Sequence, residues 1–383
     1  MKKPLEGIKV IDFTRVLSGP YCTMMLADMG ADIIKIERPK TGDDSRAFGP
    51  FIDGESGYFI SINRGKKSVV LDLKNPETRT AVKKLCLASD VLVENFRPGA
   101  MKKLGLDYDS LKQENPRLVY CSITGYGQDG PISQYAGYDV IAQAVGGMMS
   151  ITGYPDSPPT RVGTSIADVL SGMFAAYGIA AALCGRNSSG EGARIDISMV
   201  DSVMAVLENA VVRYGATGKT PERIGSKHPS LCPFDIYEAK DGYIAIAAGN
   251  DSLWREFVTA IKREELIFKK EFETNDLRCR NEKKLKRIIE DYTRVHTIKE
   301  LLNNLNKHGI PCGPVNDLAR AVRHPQILHR NMIVELDQKK IGKIKVAGTP
   351  VKIPGVDDKH FAPAPLLGEH TEEVLNALNK SNN

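Results

Sequence analysis

The chain has 383 residues, 42% apolar and 26% charged, with 52 Lys and Arg against 47 Asp and Glu for a net charge of +5. That length suits two domains, one large and one small. The near-balanced charge is spread along the chain, which argues against a nucleic-acid surface and fits a small anionic ligand.

The run KVIDF (9–13) is strand-like, and the loop TRVLSGPY follows it. CTMMLADMG (22–30) has helical spacing and stops at Gly30; DIIKIER (32–38) is a strand again. Strand, helix and strand within about 30 residues make a βαβ unit with parallel strands. The pattern recurs: strand 68–73, helix 76–88, strand 90–96, a Pro98-started helix to 106, strand 117–127 and helix 139–149. Helix 165–184, strand 193–199 and helix 201–215 continue it. This predicts an α/β fold with a doubly wound, Rossmann-like large domain over 1–220. Residues 225–320 read as a smaller α+β domain, with a strand at 241–249 and charged amphipathic helices over 253–308. Residues 321–383 return to the large domain through a hairpin (331–348) and a helix starting near LLGEHTEEVL; the tail SNN is expected to fray.

Seven cysteines at 22, 86, 121, 184, 232, 279 and 312 form no CxxC pair. They read as reduced packing residues of a cytoplasmic protein. The N-terminus MKKPLEGIKVIDF has no signal-peptide pattern, and the apolar run after Asp168 reads as a buried helix rather than a membrane span. The first loop holds one glycine where a dinucleotide fingerprint needs GxGxxG. HExxH, P-loop and GxSxG patterns are absent, so no metal or tightly bound cofactor is expected.

Three places carry candidate chemistry. GTSIADVLSGMF (163–174) sets a lone carboxylate, Asp168, at the head of a long apolar and small-residue run. An ionised carboxylate there must be capped, neutralised or functional; capping a helix over 169–184 is the alternative to a reactive role. IERPKTGDDSRAFGP (36–50) gathers Arg38, Lys40 and Arg46 just past the carboxyl end of a strand, where open α/β sheets bind ligands. NFRPGAMKKLG (95–105) repeats the arrangement and adds a helix N-terminus. Two basic strand-end loops suit a ligand with several phosphates, although each also fits a solvated charged loop.

Four stretches together resemble the class III coenzyme A transferases, the L-carnitine dehydratase and bile-acid-inducible protein F family: KVIDFTRVLSGPYCTMMLADMGADIIKIERPKTGDDSR, DVLVENFRPGAMKKLGL, YCSITGYGQDGPISQYAGYD and GTSIADVLSGMFAAYGIAAAL. The stretch SITGYGQDGPISQYAGYD, followed by PLLGEHTEEVL, looks most similar to the succinate–hydroxymethylglutarate type. The resemblance implies CoA transfer from an acyl-CoA to a carboxylic acid, with acyl-CoA as substrate rather than cofactor. Asp168 matches the family's nucleophile, which forms an anhydride and then an aspartyl-CoA thioester. Such chemistry needs a dry, small-residue neighbourhood, where backbone N–H groups can approach the developing oxyanion.

Position-matching implies CoA contacts at Leu17, Ser18, Arg38, Leu71 to Lys74, Asn95, Phe96, Arg97, Lys103, Tyr138 and Asp139. Arg38 and Lys103 would hold phosphates. For the acid, the resemblance points to Arg15, Arg46, His228, Gly249 and Asn250. Arg46 either grips a distal carboxylate or pairs with Asp43 or Asp44. AAGND (247–251) stands where oxalate-using members carry a triple glycine, which argues against oxalate. Racemases of the same family have histidine where this chain has Tyr138, so proton shuttling lacks its base. A non-catalytic CoA-binding protein is the third reading, and an intact Asp168 argues against it. The family fold implies an interlocked homodimer, with the active site between the large domain and the partner's small domain.

Overall fold

Six runs rich in Val and Ile pair side by side, all parallel, in the spatial order Lys66–Val70, Asp32–Glu37, Lys9–Asp12, Val91–Glu94, Val119–Thr124, Arg194–Ser198. The structure is a computed structural model describing residues 1–380; the expected fraying of 381–383 lies outside the described residues. Helices cover both faces of the sheet, so its middle strands are apolar throughout: Val91, Leu92 and Val93 are fully buried. The order reverses between Lys9–Asp12 and Val91–Glu94, and the loops leaving their carboxyl ends, 13–17 and 95–99, diverge there. Such a switch point is where open α/β sheets bind ligands.

The chain divides into two compact units. The first comprises 1–148, 161–219 and 325–383; the second comprises 149–160 and 220–324. Segment 149–160, which the sequence pattern grouped with the large domain, thus joins the second unit. Within the first unit, the returning chain forms the hairpin Ile333–Gln338/Gly342–Ala347 and the helix Thr371–Lys380. That helix start covers the sheet's outer strand: His370 N–H donates to the Ser68 carbonyl and Val70 N–H to Thr371 Oγ1. The second unit is an antiparallel three-stranded sheet (Cys312–Pro314, Gly242–Ala247, Phe234–Ala239) under helices that bury Trp254, Phe257, Leu285 and Leu301.

Three expected helices differ. Helix 139–149 breaks at Gly146 and Gly147, the latter at φ +85°, into Asp139–Val145 and Met148–Ile151. Helix 201–215 becomes Met199–Val206 and Asn209–Thr217, interrupted at Glu208 with φ +34°. The third, Ile166–Ser189, is long and apolar enough to cross a membrane by length and composition alone. One face packs as a core helix through Ala167, Ser171, Gly172, Ala175, Ala176 and Ile179, but Met173 and Tyr177 are exposed. The expectation of a buried helix therefore holds for one face only.

Candidate active site

Asp168 is the third residue of helix Ile166–Ser189 and not its cap. Asp139 does the capping: its Oδ1 accepts from Ala167 N–H at 2.8 Å and sits 3.5 Å from Asp168 N, while Gln143 donates to Oδ2 at 2.7 Å. The sequence suggested that backbone N–H groups near 163–172 approach a developing oxyanion; those of Ala167 and Asp168 face Asp139 instead. Asp139 is buried and lines neither the cleft at Asp168 nor the cavities beside it, and its charge acts on Asp168.

Burial, then repulsion from Asp139, pushes the Asp168 carboxyl up to about 7, against hydrogen bonds from the Ser18 side chain and backbone. The small residues make that contact possible. Helix Ser18–Asp28 lies so close to helix Ile166–Ser189 that a Cβ on Gly172 would stand 2.6 Å from the Ser18 carbonyl. A second tight approach shapes the opposite wall: a Cβ on Gly125 would lie 2.8 Å from Gly137 Cα, which pins the GYG and AGYD segments together.

The cleft at Asp168 is lined by Arg15, Ser18, Asn95, Phe96, Arg97 and Tyr138, among others. A neighbouring cavity holds Arg38, Leu71 and Lys74, and Arg15 and Phe96 line both. The two hollows thus share walls, at the switch point of the sheet. Arg15 is anchored there. Asn95 accepts from its N–H and donates to its carbonyl, and its guanidinium meets Asp44 at 3.2 Å. Asn95 therefore spends both ends of its amide on the loop. Val16, a β-branched residue, sits at φ +68°, and its N–H donates to Asp43. That strained turn is held by a buried ion network: Lys35 pairs with Asp43 at 2.8 Å, Lys66 with Asp12 at 3.1 Å, and Lys35 donates to the Thr14 carbonyl. Both lysines pull the Asp12 carboxyl below its ordinary value, against its burial.

Several expected ligand residues have other work. Arg46 lines neither hollow. It forks onto Glu37 at 2.8 and 2.7 Å, donates to the Pro365 carbonyl and stacks over Phe59. Its partner is also neither Asp43 nor Asp44, because Glu37 ends the neighbouring strand directly beneath it. Arg38 is already bonded to Thr41 and Asp44. Lys103 is exposed and lines neither hollow. Leu17 turns away from the cleft into a third cavity. His228, Gly249 and Asn250 belong to the second unit. There Asn250 caps helix Asp251–Ala260, the Gly249 carbonyl accepts from the buried Arg278, and His228 stacks with Phe234.

One buried acid was missed by the sequence reading: Glu94, at the end of its strand, is pushed up to about 7 by burial. It accepts from Phe96 N–H and so shapes the cleft wall.

CoA-transferase family III matches residues 5–371. The acetyl-CoA:oxalate CoA-transferase of Acetobacter aceti is 45% identical over 370 residues, covering 96% of this chain and 94% of that one. The succinyl-CoA:glutarate CoA-transferase of Homo sapiens is 40% identical over 374 residues, covering 97% and 85%. Among solved structures, a CAIB/BAIF family protein from Brucella suis is 38% identical with a TM-score of 0.86, covering 99% of this chain and all of that one.

Proposed function

Since this chain belongs to CoA-transferase family III and is a CoA-transferase, we propose that Asp168 is the nucleophile through which CoA passes from an acyl-CoA to a free dicarboxylic acid. The observation that carries this reading is the environment of Asp168. Its carboxyl is raised to about 7 by burial and held by Ser18, and it faces the cleft at the sheet's switch point. A carboxylate of raised basicity and reduced hydration is the better nucleophile.

In the first half-reaction the Asp168 carboxylate attacks the thioester carbonyl, and the C–S bond breaks to give a mixed anhydride and CoA thiolate. The thiolate then attacks the Asp168 carbonyl of the anhydride. An aspartyl-CoA thioester forms and the donor's acid leaves as a carboxylate. The acceptor carboxylate attacks that thioester and repeats the sequence in reverse, returning Asp168 as a carboxylate. No net proton is consumed.

CoA is read along the paired hollows, its phosphates toward Arg38 and Lys74 and its thiol end past Arg15 and Phe96 to Asp168. The dicarboxylate reading draws on relatives named for oxalate and glutarate. Oxalate, disfavoured by AAGND, returns as a candidate because the oxalate-named relative is 45% identical. An interlocked homodimer is part of the reading, supported by exposed apolar side chains on the first unit: Val145, Met173, Tyr177, Val212 and Tyr214. A screen of donor acyl-CoAs against mono- and dicarboxylic acceptors, read by mass spectrometry of the CoA esters, tests the function. Faster exchange with dicarboxylic than with monocarboxylic acceptors is expected. Exchange of the donor's α-proton with solvent in place of transfer would overturn the reading.

A further inference from the structure

Asp168 stands in a wall between two hollows. Asp168 and Ser18 line the cleft assigned above to CoA, whereas their chain neighbours Val169 and Leu17 line a separate cavity of about 490 Å³. That cavity is walled largely by apolar groups, among them Met24, Met25, Met173 and Tyr58. Its volume is in the range that accepts small metabolites.

Three charged side chains line it, and two are already neutralised. Arg64 forks onto Asp28 at 2.9 and 2.6 Å and donates its remaining arm to the Ala347 carbonyl. The third, Arg161, is less committed. One nitrogen donates to the Gly163 carbonyl at 2.9 Å. Another reaches Asp139 at only 4.0 Å, and nearly half of the side chain is exposed. Asp139 Oδ1 in turn faces Asp168 N–H. The guanidinium therefore stands beside the carboxylate that caps the start of the helix carrying Asp168.

Resting on the transfer reading above, we propose that this cavity is the acid subsite and that Arg161 is the specificity-determining residue that receives the second carboxylate of a short dicarboxylic acid. One carboxylate of the acceptor would approach Asp168, the methylenes would lie against the methionine-lined wall, and the far carboxylate would meet the guanidinium fork. A planar fork matches a carboxylate through two hydrogen bonds, and removing it leaves that charge without a partner. The Tyr58 hydroxyl, pushed up to about 12 by burial and then by Asp168, stays a hydrogen-bond donor at neutral pH.

The test uses the full-length protein with acetyl-CoA as donor and glutarate, succinate or butyrate as acceptor. Arg161→Met should raise KM for glutarate and succinate at least tenfold and leave butyrate within twofold, while enzyme-thioester formation from acetyl-CoA alone proceeds as in the wild type. Arg161→Lys should recover part of the loss. Met25→Trp, which fills the cavity, should raise KM for all three acids. Equal loss for glutarate and butyrate in Arg161→Met, or no effect of Met25→Trp on any acid, would overturn the subsite. Absence of the enzyme thioester in the wild type would instead defeat the transfer reading, so the two failures are told apart.

Discussion

Replacing Asp168 by Asn should stabilise the protein, and only above a certain pH. Burial and Asp139 raise the folded carboxyl from 3.8 to about 7. A group raised on folding favours the native state only while it is protonated. That contribution is complete below the unfolded value and is lost as pH climbs through the folded one. At about 1.4 kcal/mol per pH unit, the interval corresponds to roughly 4 kcal/mol. The carboxyl faces an open cleft, so solvent screening reduces this to about 2 kcal/mol. Asn keeps the shape and has no proton to lose. Thermal unfolding followed by scanning fluorimetry at pH 5 and pH 8.5 reads the difference. Asp168→Asn should gain a few degrees over the wild type at pH 8.5 and clearly less at pH 5. A gain independent of pH, or a loss at pH 8.5, would show that the native fold does not strain this carboxylate.

Three further outcomes follow from the same contacts. Asp139→Asn removes the charge nearest Asp168 while keeping an oxygen for Ala167 N–H, so the acid limb of kcat/KM should move to lower pH; an unmoved profile contradicts the coupling. Gly172→Ala places a methyl 2.6 Å from the Ser18 carbonyl; unfolding should show about 1–3 kcal/mol of destabilisation, with turnover down at least tenfold. Arg46→Met leaves the buried Glu37 without its fork, so stability should fall by roughly 3 kcal/mol, and activity should fall alike for mono- and dicarboxylic acceptors.

The sheet was legible because its strands are short apolar runs alternating with helical spacing, and Asp168 was legible as a charge in a run that tolerates none. Other features were hidden for physical reasons. Nothing in the strand DIIKIER marks Lys35 as buried, yet its ammonium is fully buried against Asp43. Its partner comes from a loop, and loop closure leaves no periodic trace in sequence. Arg46 stands three residues past Asp43, and local spacing favoured that pairing; the strand-end Glu37 won because the turn at Gly42 folds the chain back over it. Asp139, which position-matching offered as a CoA contact, caps a helix other than its own, 28 residues away in sequence. The wall that separates the two hollows at Asp168 depends on helix packing through Gly172, which a small-residue pattern suggests but does not aim.

The covalent role of Asp168 is tested most directly by trapping. The wild-type protein is incubated with an acyl-CoA without acceptor, quenched, digested, and analysed by mass spectrometry of the peptide carrying residue 168. A CoA thioester on Asp168 should appear, convert to the hydroxamate with hydroxylamine, and vanish when a dicarboxylic acid is added before the quench. Asp168→Asn, folded and still binding CoA, should give none. An unmodified peptide at full turnover, or transfer that survives in Asp168→Asn above about one part in a thousand, would contradict the account.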